Sequence, residues 1–342
     1  MPNDSVCSFF ILSALFTCLL SVNGQDDHIF LPSQNHYGDS VSFCPATNPN
    51  LNFKPVIGIL SHPGDGASGR LSNATGVSYI AASYVKLVES GGARVIPLIY
   101  NEHPGDLLKK LDLVNGVLFP GGWSKTGLYF ETSRYIFERA LEKNEAGDHF
   151  PVYGINLGAQ NILAIVSGDK DILETFNASN LPSSLQLWKN AIDGSVFQSF
   201  PEDLLPHLET DCLVLHNSRY GISPRRLQYN KKLSSFFEIL TTSKDTDDKI
   251  FVSTARGKNY PVTIFQWHPE KNTYEWATSS KAPRTEDAIR VTQSTANFLA
   301  SEARKSSNKP DAQEVRDNLI YNYSPTYSGK AGKGYDEVYL FE

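Results

Sequence analysis

Residues 152–160 read Val152-Tyr153-Gly154-Ile155-Asn156-Leu157-Gly158-Ala159-Gln160. The first four form a short apolar run, the mark of a strand buried on both faces, and a helix is expected to open near Leu157. Strand therefore turns into helix at Asn156, with Gly154 and Gly158 on either side. This Gly-x-nucleophile-x-Gly spacing is that of an elbow, a strained turn that projects one side chain from the edge of a sheet. The glycines permit the turn and let strand and helix approach closely. The N-terminus of the helix brings unpaired N–H groups and the positive end of a dipole toward a developing oxyanion.

Upstream of the elbow the same alternation repeats. Pro55 to Leu60 reads as a strand and Tyr79 to Glu89 as a helix stopped by Gly91-Gly92. Val95 to Leu98 reads as a strand, Asp106 to Leu111 as a short helix, Gly116 to Phe119 as a strand and Glu131 to Lys143 as a helix. Alternating strands and helices predict an α/β fold with a mainly parallel central sheet sandwiched by helices, a flavodoxin-like three-layer arrangement. Downstream the chain is richer in strands, at Cys212 to Leu215, Phe237 to Thr242, Phe251 to Ser253 and Val262 to Phe265. An amphipathic helix from Thr285 to Ala303 follows, and then a polar tail with tyrosines at 321, 323, 327, 335 and 339, expected to pack on the domain surface.

The chain has 342 residues, 40% of them hydrophobic and 20% charged, ample for a large core. Its formal net charge of −6 argues against electrostatic capture of nucleic acid and gives no help with a polyanionic ligand, which would need local positive groups. Residues 1–24 read as a signal peptide, with an apolar run from Phe9 to Leu20 and small residues near Gly24. That run is too short for a membrane span, which needs roughly 20 residues, and no later segment is long and apolar enough. Residues 25–53 read as an irregular leader, 54–305 as the α/β domain and 306–342 as a C-terminal tail packing on it. Cys44 and Cys212 remain after the signal and are equally consistent with a disulfide and with two separate thiols. Asn73 and Asn177 head the more favourable glycosylation sequons.

Two further segments carry chemistry. Phe119-Pro120-Gly121-Gly122 ends the third strand, where paired glycines let backbone N–H groups face a ligand. Phe265-Gln266-Trp267-His268-Pro269-Glu270 follows the last core strand and places a histidine, as general base, beside a carboxylate that orients it. In this order the three segments resemble the class I glutamine amidotransferase-like superfamily, in which a cysteine elbow and a Trp-His-Pro-Glu segment form a Cys-His-Glu triad. Within it the chain is similar to the plant-type γ-glutamyl hydrolases. The resemblance is carried by Lys54 to Leu60, Tyr79 to Lys86, Asn115 to Gly122, Gln266 to Lys271, Asn318 to Tyr323 and Tyr335 to Leu340, and covers about residues 54–342. It implies a secreted or vacuolar homodimer that removes γ-linked glutamates from folylpoly-γ-glutamate without a metal or other cofactor.

The family elbow reads Gly-x-Cys-Leu-Gly-Phe-Glu, so Asn156 stands where the nucleophilic cysteine belongs and Gln160 where an acid belongs. Ser218 falls where the family carries an active-site histidine, with His216 two residues earlier as an imperfect substitute. His268, Glu270, Gly121, Gly122 and the Leu157 N–H are kept, the last three implied to form the oxyanion hole. A carboxamide offers no proton that a histidine can remove to make a nucleophile. The expectation is a catalytically impaired member that still binds a polyglutamate or a protein partner, set against an active hydrolase and a structural glycoprotein with no ligand.

Overall fold

A computed structural model describes residues 48–66, 76–189, 191–329 and 334–342. The signal peptide, most of the leader, Cys44 and the Asn73 sequon lie outside the described residues. Asn48–Glu342 forms one compact unit.

Val56–Leu60 (β1) leads through His62–Pro63 (β2) and Ser78–Ala81 (β3) into Ala82–Ser90 (α1) and Arg94–Leu98 (β4). Pro104–Asp112 (α2), Val117–Phe119 (β5), Gly127–Glu145 (α3), Val152–Ile155 (β6) and Leu157–Ser167 (α4) follow. Next come Glu174–Ser183 (β7), Gln186–Leu187 (β8), Leu205–Thr210 (α5), Val214–Gly221 (β9), Pro224–Tyr229 (α6) and Lys231–Phe236 (α7). The chain closes with Phe237–Lys244 (β10), Ile250–Gly257 (β11), Val262–Phe265 (β12), Lys271–Tyr274 (α8), Glu286–Ala303 (α9), Ala312–Asn318 (α10), Thr326–Tyr327 (β13) and Glu337–Phe341 (β14).

The main sheet runs β4-β1-β5-β6-β12-β11-β10-β8. It is parallel from β4 to β12 and antiparallel beyond. Both faces are buried, which is why the strand sequences are continuously apolar instead of alternating. Ile57 and Ile59 face a layer containing α1 and α9, while Val56 and Leu60 face a layer containing α2, α3 and α4. The expected three-layer architecture is the one observed.

The elbow glycines have physical reasons. A Cβ on Gly158 would stand 2.1 Å from the Phe119 carbonyl oxygen, and one on Gly154 would stand 2.7 Å from Ile162 Cδ1 and 2.8 Å from the Ala159 nitrogen. Helix α4 therefore lies directly against β5 and β6, and the Gly158 N–H donates to Pro120 O at 3.1 Å.

Two expectations need correction. Tyr79 to Ala81, expected to open a helix, is strand β3, which pairs with β2 and with β14, Ile80 opposite Tyr339. The helix begins only at Ala82 because the backbone of the three preceding residues is held by a partner strand at the far end of the chain. The strand expected at Cys212 to Leu215 begins at Val214 and pairs with β7 in a separate two-stranded ribbon, joined to the Trp-His-Pro-Glu segment by a bridge between His216 and Trp267.

Candidate functional site

The three segments singled out by sequence converge at the carboxyl ends of β5, β6 and β12, where an open parallel sheet places its ligands. Asn156 sits at the elbow with φ 51° and ψ −103°, a conformation that costs about 1–3 kcal/mol and persists only where the surroundings enforce it. The enforcing contacts are its N–H, which donates to Phe265 O at 2.7 Å, and its carbonyl, which accepts from Gln160 N at 3.0 Å. Its side-chain Nδ2 donates to Gln266 O at 3.3 Å. As the first residue of α4, Leu157 has an N–H with no intrahelical acceptor.

His268 and Glu270 are both buried, with His268 Nδ1 2.7 Å from Glu270 Oε1. This contact fixes the tautomer: Nδ1 carries the proton and Nε2 the lone pair. Burial lowers the His268 pKa, outweighing the opposing pull of Glu270, so the imidazole is neutral. Nε2 is buried and has no hydrogen-bond partner among the described residues. A Cβ on Gly121 would lie 3.0 Å from His268 Cε1 and 3.6 Å from Asn156 Cβ, which puts this glycine between base and elbow.

The Gly121 N–H, expected at the oxyanion hole, donates to the Tyr84 hydroxyl at 2.9 Å in this structure. Gly122 lines the cleft, and its lack of a side chain is required by His62, whose Nε2 a Cβ would meet at 2.5 Å. Buried His62 holds the following loop. Its Nε2 accepts from Trp123 N at 3.0 Å and Ser124 N at 3.1 Å, and Nδ1 faces Pro63 O at 2.8 Å. Desolvation brings its pKa down to about 4.

Gln160 and Ser218 touch: Gln160 Nε2 donates to Ser218 Oγ at 2.9 Å and to Tyr220 O at 3.0 Å. A neutral pair thus closes this side of the cleft. His216 does not substitute for a histidine at 218. It is buried against Phe251, with Nε2 3.1 Å from Ser243 Oγ, and burial brings its pKa down to about 3.

A cleft of about 730 Å³ opens over the elbow. Asn156, Gln160, Ser218, Gly122 and His268 line it, together with Lys125, Arg219, Lys271, Trp123, Tyr220 and Tyr335. Three cations therefore share one cavity, and Arg219 and Lys271 make no ion pair with the described residues. Lys125 Nζ lies 3.2 Å over the Tyr220 ring. Asn177 is exposed on β7, and Ser179 of its sequon lines the cleft. The cations, His62, Tyr84 and Tyr335 were not reached from sequence. Lys271 and the two tyrosines lie within the resembling segments, but nothing local distinguishes them from ordinary surface or core residues.

The chain matches the Peptidase C26 family over residues 55–270. It is 72% identical to a γ-glutamyl hydrolase of Glycine max, with 100% of both chains covered. To γ-glutamyl hydrolase 1 of Arabidopsis thaliana it is 59% identical, over 92% of this chain and 91% of the relative. To a γ-glutamyl hydrolase of Bos taurus it is 36% identical, over 89% and 94%.

Proposed function

This chain belongs to the Peptidase C26 family, that of the γ-glutamyl hydrolases, and we propose that it binds folylpoly-γ-glutamate in a site whose hydrolytic step is disarmed at Asn156. The reading rests on one juxtaposition. A strained elbow, an oriented neutral histidine and its buried carboxylate are all in place, while the side chain at the elbow cannot become a nucleophile.

In a thiol-bearing elbow, His268 Nε2 would take the thiol proton, the thiolate would attack the γ-glutamyl carbonyl, and the Leu157 N–H would help stabilise the resulting oxyanion. The carboxamide of Asn156 has no proton that His268 can remove. What survives is recognition: Lys125, Arg219 and Lys271 suit a ligand with several carboxylates, and Tyr220 and Trp123 offer flat apolar surface. The proposal includes the secretory route, to the vacuole or extracellular space, with glycosylation at Asn73 or Asn177 and assembly as a homodimer.

The test is a mass-spectrometric assay with pteroyl-pentaglutamate on the full chain, on Asn156→Cys and on the triple variant Asn156→Cys, Gln160→Glu, Ser218→His. Removing a triad nucleophile leaves only roughly 10³–10⁴ over water from the oxyanion hole and binding. The unaltered chain should therefore release no glutamate on the timescale of the assay, and the triple variant should exceed it by about 10³-fold or more. Turnover by the unaltered chain would overturn the disarmed reading and demand another nucleophile.

A further inference from the structure

Tyr335 lies beyond the span that matches the family, on the approach to β14, yet it forms part of the cleft wall. Its ring is buried, with Tyr79 at 5.9 Å and Tyr84 at 6.0 Å between ring centroids. Two contacts tie it to working parts of the site. Lys271 Nζ sits 5.2 Å from the ring centroid, within reach of a cation–π attraction. Its hydroxyl is 3.4 Å from that of Tyr84, whose oxygen accepts the Gly121 N–H. Behind the ring, the Tyr335 carbonyl accepts from Ser328 Oγ at 2.7 Å, and the next residue's N–H, that of Asp336, donates to Glu275 Oε2 at 2.9 Å. The segment is held from both sides.

We infer that Tyr335 is a positioning residue: it holds the Lys271 ammonium over the cleft as a receptor for a ligand carboxylate, and through Tyr84 it sets the Gly121-Gly122 turn between His268 and Asn156. An unrestrained lysine loses side-chain entropy each time it binds a carboxylate, whereas one resting on an aromatic face is already partly ordered. The C-terminal strand thereby contributes a specificity element to a site built otherwise from the parallel sheet. This inference rests on the γ-glutamyl reading for the identity of the ligand, but not for the geometry.

Two measurements separate the inference from that reading. The first is calorimetric titration of the full chain with γ-linked pentaglutamate, in a cycle of Tyr335→Leu, Lys271→Met and the double variant, with Tyr335→Phe alongside. Each single change should weaken binding about tenfold. The double should be no weaker than either alone, and Tyr335→Phe, which keeps the ring, should stay within about threefold of the unaltered chain. Additive losses would show that Tyr335 does not act through Lys271 and would overturn the inference. The second is hydrogen exchange at the Gly121 amide, which needs no ligand. Exchange should be about tenfold faster in Tyr335→Leu with the melting temperature held within a few degrees; an unchanged rate would sink the positioning role. Failure of the unaltered chain to bind pentaglutamate would remove the γ-glutamyl reading, and the exchange result would then decide Tyr335 alone.

Discussion

Close packing at the elbow leaves little room for substitution. The gap occupied by Gly158 is bounded by backbone, since the nearest atoms to an added Cβ are the Phe119 carbonyl oxygen at 2.1 Å and carbon at 2.6 Å. A flexible side chain could swing aside; a strand carbonyl cannot move without disturbing the β5 pairing. Gly158→Ala should destabilise the chain by about 1–3 kcal/mol or more, read as a lowered urea midpoint with an unchanged slope. The control is Gly147→Ala, where an added Cβ meets nothing within 4 Å, although its φ of 92° still strains a side chain. A smaller loss at Gly158 than at Gly147 would mean that α4 can back away from the sheet. The elbow was legible because the residues that make it are contiguous. The Gln160–Ser218 contact was not, because the two are 58 positions apart and only the folding of β9 beside α4 brings them together.

Among the elements, α8 and β14 are joined by a buried acid. Glu275, just past the end of α8, accepts from Asp336 N at 2.9 Å at the entry to β14. Burial pushes its carboxyl up to about 7, against the opposing pull of the Asp336 N–H and of Lys271. An acid whose pKa is higher in the fold than in the unfolded chain contributes stability that is complete below about pH 4.5 and is lost as pH rises through about 7. Buried neutral His62 and His216 act in the opposite sense: their pKa values fall to about 4 and about 3 in the fold, so their contribution is lost as pH falls below about 6.5. Between about pH 4.5 and 6.5 the two trends oppose each other. Glu275→Gln removes only the first, so its stability should fall more steeply than that of the unaltered chain as pH drops through that window, and less steeply as pH rises toward 7.5. Urea midpoints at pH 5, 6.5 and 7.5 test this, and parallel curves for the two proteins would contradict it. None of this was readable in the local pattern around Tyr79 or in the tyrosine-rich tail. The pairing of β3 with β14 spans most of the chain, and the helix expected from Tyr79 has its first three residues in a strand.

At the scale of the molecule, charge acts in two directions on an anionic ligand. The chain carries a formal net charge of −6, which repels at long range, while Lys125, Arg219 and Lys271 attract inside the cleft. From sequence, the net charge shows only that a polyanion would need local positive groups. It cannot say which of 31 Lys and Arg residues supply them, because that depends on β9 and the segments that follow β5 and β12 meeting over one cavity. Salt separates the two fields. Repulsion across many ångströms is screened once the Debye length shrinks to about 8 Å at physiological ionic strength, whereas contacts inside a partly desolvated cleft are screened less. Raising salt from about 0.05 to about 0.5 M should therefore weaken pentaglutamate binding by several-fold at most, less than three exposed ion pairs would suggest. In the variant Lys125→Met, Arg219→Met, Lys271→Met only the repulsion remains, so its weak residual binding should be flat or improve as salt rises. Calorimetric titration across that range reads both slopes. A triple variant that keeps the downward slope of the unaltered chain would place the attractive charge outside this cleft, and with it the site of recognition.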